Sequence, residues 1–144
     1  PYHDNREPDL SCGNSPLQVV YQGRLMPFRG LEELVSAFKH IENAVLTLSG
    51  DGPTEESLKE FVRKENLSEK VIFKGRFGRN DAMDILVGKD IGIFTIKDIT
   101  LNLHYTSPNK LFDYAMAGLA VAASDLPFVR DVVSRYEWEN FSKK

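Results

Sequence analysis

Short apolar runs alternating with amphipathic helical stretches constrain this chain more than any other feature. LQVVYQG (17–23), AVLTLSG (44–50), VIFKG (71–75), DIGIFTI (90–96) and AVAAS (120–124) read as strands. Between them, GLEELVSAFKHI (30–41), TEESLKEFVRKENL (54–67), NDAMDILVG (80–88) and SPNKLFDYAMAG (107–118) read as helices, and a last helix begins at Pro127. The first helical stretch puts Leu31, Leu34, Val35, Phe38 and Ile41 on one face. The second starts at Thr54, read as its N-cap, with acids in the first turn where the helix dipole favours them. In the fourth, Ser107 stands at the N-cap, Pro108 at the first helical position and Gly118 past the end. Strands apolar on both faces, alternating with helices, predict a parallel sheet covered on each side. The expected fold is α/β, a Rossmann-like open parallel sheet of about five strands with helices on both faces.

A length of 144 residues fits one domain. Residues 1–16, with Pro1, Pro8, Gly13, Asn14 and Pro16, read as a lead-in or linker, 17–133 as the domain and 134–144 as a C-terminal helix. Lys and Arg number 18 against 21 Asp and Glu, a net charge of −3 that offers no basic field for nucleic acid. No apolar run approaches the ~20 residues of a membrane helix. The polar stretch PYHDNREPDL is expected to be neither a signal nor a transit peptide. The single Cys12 excludes an internal disulfide framework and a multi-cysteine zinc site, and fits a reducing, cytoplasmic compartment.

Ligands of open parallel sheets bind at the carboxyl ends of the strands. That rule directs attention to 23–30, 50–54, 75–79, 97–109 and 124–127. The first of these, QGRLMPFRG, carries Arg24 and Arg29 on a loop bounded by Gly23 and Gly30. Their planar guanidiniums suit the oxygens of one polyanion, though a solvated loop with incidental arginines reads the same way. In KDITLNLHYTSPNK the loop is polar and longer than the usual connection of about 2–6 residues, which points to function. Pro108 leaves the amides of Asn109 and Lys110 free at a helix N-terminus, where an anion is favoured, and Lys110 adds a full charge. Asp113 is either an acceptor for sugar hydroxyls or an acid complementing the helix dipole.

Other chemistries find less support. GDGPTE lacks the third glycine of the dinucleotide fingerprint, and no glycine loop leads into a Walker lysine. A phosphoacceptor domain wants acids where the first strand here ends in Gly23 and Arg24. His3, His40 and His104 have no metal-ligand spacing, and no carboxylate pair is placed for hydrolysis. His104 lies in the long polar loop, His40 closes a helix, and Cys12 sits in the lead-in.

VVYQGRLMPFRGLEELVSAF, VLTLSGDGP, VIFKGRF and SPNKLFDYAMAGLAVAASDLPFVRDVV together resemble the C-terminal half of a GT-B glycosyltransferase of family 4. The resemblance runs from Leu17 to Val133 and is strongest over PNKLFDYAMAG and the strand after it. It implies a retaining, metal-independent hexosyltransferase whose donor is a UDP- or GDP-sugar, with no further cofactor. It also implies a separate N-terminal domain for the acceptor, absent from this sequence, through which alone a membrane would be met. By match, Gly23, Arg24 and Arg29 border the diphosphate, as do Pro108, Asn109 and Lys110. Asp113 stands where the family places a ribose-binding glutamate, and Arg76 and Phe77 follow Gly75 where the base packs. The catalytic set so implied is Arg24, Arg29 and Asp113.

The sequence departs from the family in several places. Tyr105 occupies the position of the first of two paired acids, so sugar recognition passes to Asn102, Tyr105 or Thr106. Asp113 is one methylene shorter than the family's glutamate, and Ala120 replaces a common proline. SRYEWENFSKK resembles the family's final helix yet directly follows RDVV, implying that a strand, loop and helix are missing between Val133 and Ser134. Such a fragment is expected to bind donor without turning over. The competing expectations are a non-catalytic nucleotide-sugar or anion-binding module, and a purely structural α/β domain.

Overall fold

The computed structural model describes residues 16–97 and 109–135. Within them the apolar runs pair as one parallel sheet in the order β3-β2-β1-β4-β5. The strands are β1 (Leu17–Gln22), β2 (Ala44–Ser49), β3 (Val71–Gly75), β4 (Ile91–Phe94) and β5 (Ala120–Ala123). Among the described residues four α-helices accompany them: α1 (Leu31–Ala37), α2 (Glu55–Lys64), α3 (Asn109–Met116) and α4 (Pro127–Arg135). β1 pairs with β2 along its whole length, from Leu17 opposite Ala44 to Gln22 opposite Ser49. Its pairing with β4 covers only Val19–Tyr21.

Alternation along the central strands divides the core into two layers. Val19 and Tyr21 of β1 and Leu46 and Leu48 of β2 pack with Leu31, Val35, Leu58 and Val62 of α1 and α2. Val20, facing the other way, joins Phe94, Leu86, Leu111 and Tyr114, with Leu126 and Val129 around the start of α4. The expected sheet with helices on both faces is thus present. Its strand order makes β1 the centre: the chain moves outward through β2 and β3, then returns to β1's other side with β4. A crevice opens at such a reversal, at the carboxyl ends of β1 and β4.

Several local expectations are corrected. NDAMDILVG forms two 3-10 turns, Arg79–Asp81 and Asp84–Leu86, in place of a helix. The Asp81 carboxylate accepts the Gly78 N–H at 3.2 Å, a local bond that competes with helical pairing. Thr54 precedes α2 without capping it; its hydroxyl donates instead to the Leu25 carbonyl at 2.7 Å. α1 is shorter than its apolar pattern, and Ile41 is exposed beyond it. Although β5 is apolar throughout, Ala120, Ala122 and Ala123 are exposed, because β5 is a sheet edge. Gly118 follows α3 at φ +74°, the left-handed stop that the sequence signals there. Ser107 and Pro108 lie outside the described residues, and the 133/134 boundary falls inside α4. Among the described residues no helix is long and apolar enough to cross a membrane.

Candidate functional site

Polar contacts on both sides pin the segment that leaves β1. The Gly23 and Leu25 N–H groups donate to the Ser49 and Asp51 carbonyls, each at 2.9 Å, extending the β1–β2 ladder past the strands. The Tyr21 hydroxyl donates to the Arg24 carbonyl at 2.9 Å, while Thr54 donates both its N–H and its hydroxyl to Leu25. Arg24 therefore projects from a fixed turn. Its guanidinium is largely exposed and stands 3.8 Å from the Asp51 carboxylate.

Arg29 ends the same loop in a different setting. The Thr95 hydroxyl donates to the Arg29 carbonyl at 2.6 Å, and the Lys97 N–H to the Phe28 carbonyl at 2.7 Å, tying the loop to the end of β4. The guanidinium lies over the rings of Phe28 and Phe94, 5.5 and 5.9 Å from their centroids. Its Nε is buried and has no hydrogen-bond partner among the described residues. A cation held by aromatic faces, with a buried donor unused, retains capacity for an incoming acceptor. The two arginines thus bracket the loop, Arg24 leaning toward β2 and Arg29 toward β4.

The start of α3 carries a further charged pair. Lys110 pairs with Asp113 at 3.1 Å, and its ammonium also sits 5.7 Å from the centre of the Phe77 ring. Phe77 follows β3, so this contact joins the ends of two non-adjacent segments. Arg76 and Asn109 are exposed nearby in sequence. Asn102, Tyr105, Thr106 and Pro108, with His104, lie outside the described residues. Among the described residues no group of three or more His, Cys, Asp or Glu could hold a metal ion.

Sequence reasoning passed over the residues beneath this surface. Gln22 and Ser49, opposite each other at the ends of β1 and β2, are buried, and Gln22 Oε1 and Ser49 Oγ have no partners among the described residues. The signal was available: each is a polar residue closing an apolar run just before a glycine. Tyr21 and Tyr114 also went unremarked, since a tyrosine in a strand or helix reads as core.

Both phenols are perturbed. Burial pushes the Tyr21 hydroxyl up to about 12, against a smaller opposing pull from Arg29. Burial likewise raises Tyr114, with the Gln22 N–H bond opposing it. The folded chain keeps these protons above pH 10, where an unfolded phenol releases them. Their contribution is complete below pH 10 and falls as pH rises, that of Tyr21 being lost through about 12 and that of Tyr114 persisting higher. Urea midpoints are therefore expected to fall steeply between pH 10 and 12, and less steeply in Tyr21→Phe. Equal slopes for the two proteins would contradict the assignment to Tyr21.

Residues 7–142 match the family model described as glycosyl transferases group 1. The chain belongs to that family. Over 67 residues this family member is 36% identical to the lipopolysaccharide core biosynthesis glycosyltransferase LpsD of Rhizobium meliloti. The aligned stretch covers 46% of this chain and only 20% of LpsD. Among solved structures, HepE of Anabaena in complex with UDP-glucose superposes with a TM-score of 0.68 at 19% identity, over 82% of this chain and 32% of HepE. The catalytic domain of the Helicobacter pylori cholesterol-α-glucosyltransferase gives 0.66 at 20% identity, over 79% of this chain and 68% of that one. At these identities the superpositions speak for the fold, which is that of GT-B glycosyltransferases.

Proposed function

We propose that this chain is the donor-binding domain of a retaining, metal-independent family 4 glycosyltransferase that takes a hexosyl group from a UDP- or GDP-sugar. The acceptor would be held by an N-terminal domain outside this sequence, and the whole would work in the cytoplasm. The observation that carries the reading is the Arg29 guanidinium at the β1–β4 reversal, aromatic-backed and with a buried donor that has no partner among the described residues. The complex of HepE with UDP-glucose, on a matching fold, supports the choice of ligand class.

In this reading Gly23 lets the diphosphate approach the β1 turn, and Arg24 and Arg29 meet it from the two ends of the loop. Pro108, Asn109 and Lys110 face it across the crevice. Phe77 and Arg76 border the base, Asp113 takes the ribose, and Asn102, Tyr105 and Thr106 serve the sugar. As the bond from the sugar's anomeric carbon to the diphosphate oxygen breaks, negative charge grows on the leaving group. Fixed cations stabilise that charge without reorganising, the form of electrostatic catalysis that gives the largest benefit. The Lys110–Asp113 pair holds the two side chains ready while the site is empty.

Titration calorimetry of the chain with UDP and GDP tests the reading. Arg24→Ala is expected to weaken nucleoside diphosphate binding about tenfold, the lower end for a charge-assisted bond at an exposed position. Equal affinities of wild type and Arg24→Ala would remove Arg24 from the site. Binding of neither nucleotide by the wild type would sink the function itself.

A further inference from the structure

The structure assigns Tyr114 as a positioning residue for the nucleoside diphosphate, acting through Gln22 at the point where β1 and β4 part. Tyr114 is fully buried on α3, next to Asp113 and one turn beyond Lys110. Its hydroxyl accepts the Gln22 N–H at 3.1 Å and donates to the Ile93 carbonyl, also at 3.1 Å. The β1–β4 ladder stops at Tyr21 opposite Ile93, so the phenol supplies the next rung, where β4 no longer reaches β1. One hydroxyl therefore sets the separation of three segments: the Gly23–Arg24 turn, the end of β4 and the start of α3.

Two further observations show that this placement is built in. Gly92 on β4 leaves room for the Tyr114 ring: the three atoms nearest to an added Cβ all belong to that ring and lie far inside van der Waals contact. The Gln22 side chain extends the link in a fourth direction, its Nε2 donating to the Ala82 carbonyl at 2.7 Å in the segment that follows Phe77. Gln22 and Tyr114 together join the segments carrying Arg24, Phe77, Lys110 and Asp113, yet neither needs to touch the ligand. A phenol is protonated at neutral pH, so this hydroxyl can accept and donate at once.

The inference rests on the donor-binding reading and is tested on the same chain by calorimetry with UDP. Tyr114→Phe keeps the ring and removes both hydrogen bonds, and is expected to weaken UDP about fivefold or more. Val62→Ala, in the other core layer, lowers stability without reaching the crevice and is expected to leave UDP affinity unchanged. A purely structural tyrosine would add its effect to that of Arg24→Ala. A positioning tyrosine should instead give a double variant no more than about twofold weaker than Arg24→Ala alone, because the two share one interaction. Gln22→Met, which cuts the Ala82 bond and leaves the phenol in place, is expected to weaken UDP about threefold. Wild-type affinity in folded Tyr114→Phe overturns the assignment, as does wild-type affinity in Gln22→Met should Tyr114→Phe not fold. Strict additivity with Arg24→Ala overturns it too. A wild-type chain that binds no UDP or GDP removes the donor reading and this inference together, an outcome distinct from either.

Discussion

Gly50→Ala should cost this chain about 2–6 kcal/mol, as overpacking and backbone strain combine. Gly50 follows β2 at φ +143°, a region side chains rarely adopt, and a Cβ there would overlap the Gly23 carbonyl. Neither partner can retreat. The Gly50 N–H is held by the Gly75 carbonyl at 2.8 Å, and the Gly23 N–H by Ser49 at 2.9 Å. The obstacle is backbone, which has no alternative rotamer to take up. Against a typical domain stability of about 5–15 kcal/mol, such a loss removes much of the folded margin. Gly118→Ala is the control, since it adopts φ +74° with nothing within 4 Å of an added Cβ. It carries the strain alone and should cost about 1–3 kcal/mol. Urea denaturation of both variants reads the difference directly, and equal midpoints would mean that the two turns are not in contact. Any Gly50→Ala chain that folds should also bind UDP poorly, because the displaced segment carries Arg24.

The same contact shows where sequence reading reaches and where it ends. Parallel β1, β2 and β4 were legible because Val19–Tyr21, Leu46–Leu48 and Ile91–Phe94 lie within the mostly apolar runs 17–23, 44–50 and 90–96, the first two closed by glycine and the third opened by Asp90. The stop after α3 was legible because Gly118 is a local signal for a local conformation. The 80–88 segment was misread because apolar spacing is blind to the Asp81–Gly78 bond that turns the chain early. Thr54 was misread for a related reason: its acceptor, Leu25, lies 29 residues away. At the site, Arg24, Arg29, Lys110 and Asp113 were visible as charges at strand and helix ends. Their differences were not. Nothing in QGRLMPFRG distinguishes the exposed Arg24 from the ring-backed Arg29, because Phe94 is contributed by a strand far along the chain. Gln22 and Tyr114 escaped notice likewise, since their meeting spans 92 residues.

That difference between the arginines decides the second large effect. Arg29→Ala is expected to weaken UDP binding about a hundredfold, the loss of two charge-assisted bonds of about 1.5–3 kcal/mol each at the lower end. Arg24 should count for less, because its guanidinium is 65% exposed and already shares its charge with Asp51 at 3.8 Å. Arg29 is partly shielded by Phe28 and Phe94, so water competes less for its donors, and its Nε has no partner among the described residues to give up. Its planar fork also matters. Arg29→Lys keeps the charge but loses the bidentate geometry and the ring stacking, and should recover only part of the affinity, ending about tenfold below wild type. The ordering is the sharper test: wild type, then Arg24→Ala and Arg29→Lys, then Arg29→Ala. Calorimetry at fixed ionic strength reads all four, since exposed pairs weaken with salt faster than shielded ones. If Arg29→Ala binds UDP more tightly than Arg24→Ala, the guanidinium between the two rings belongs to the core and the diphosphate lies elsewhere.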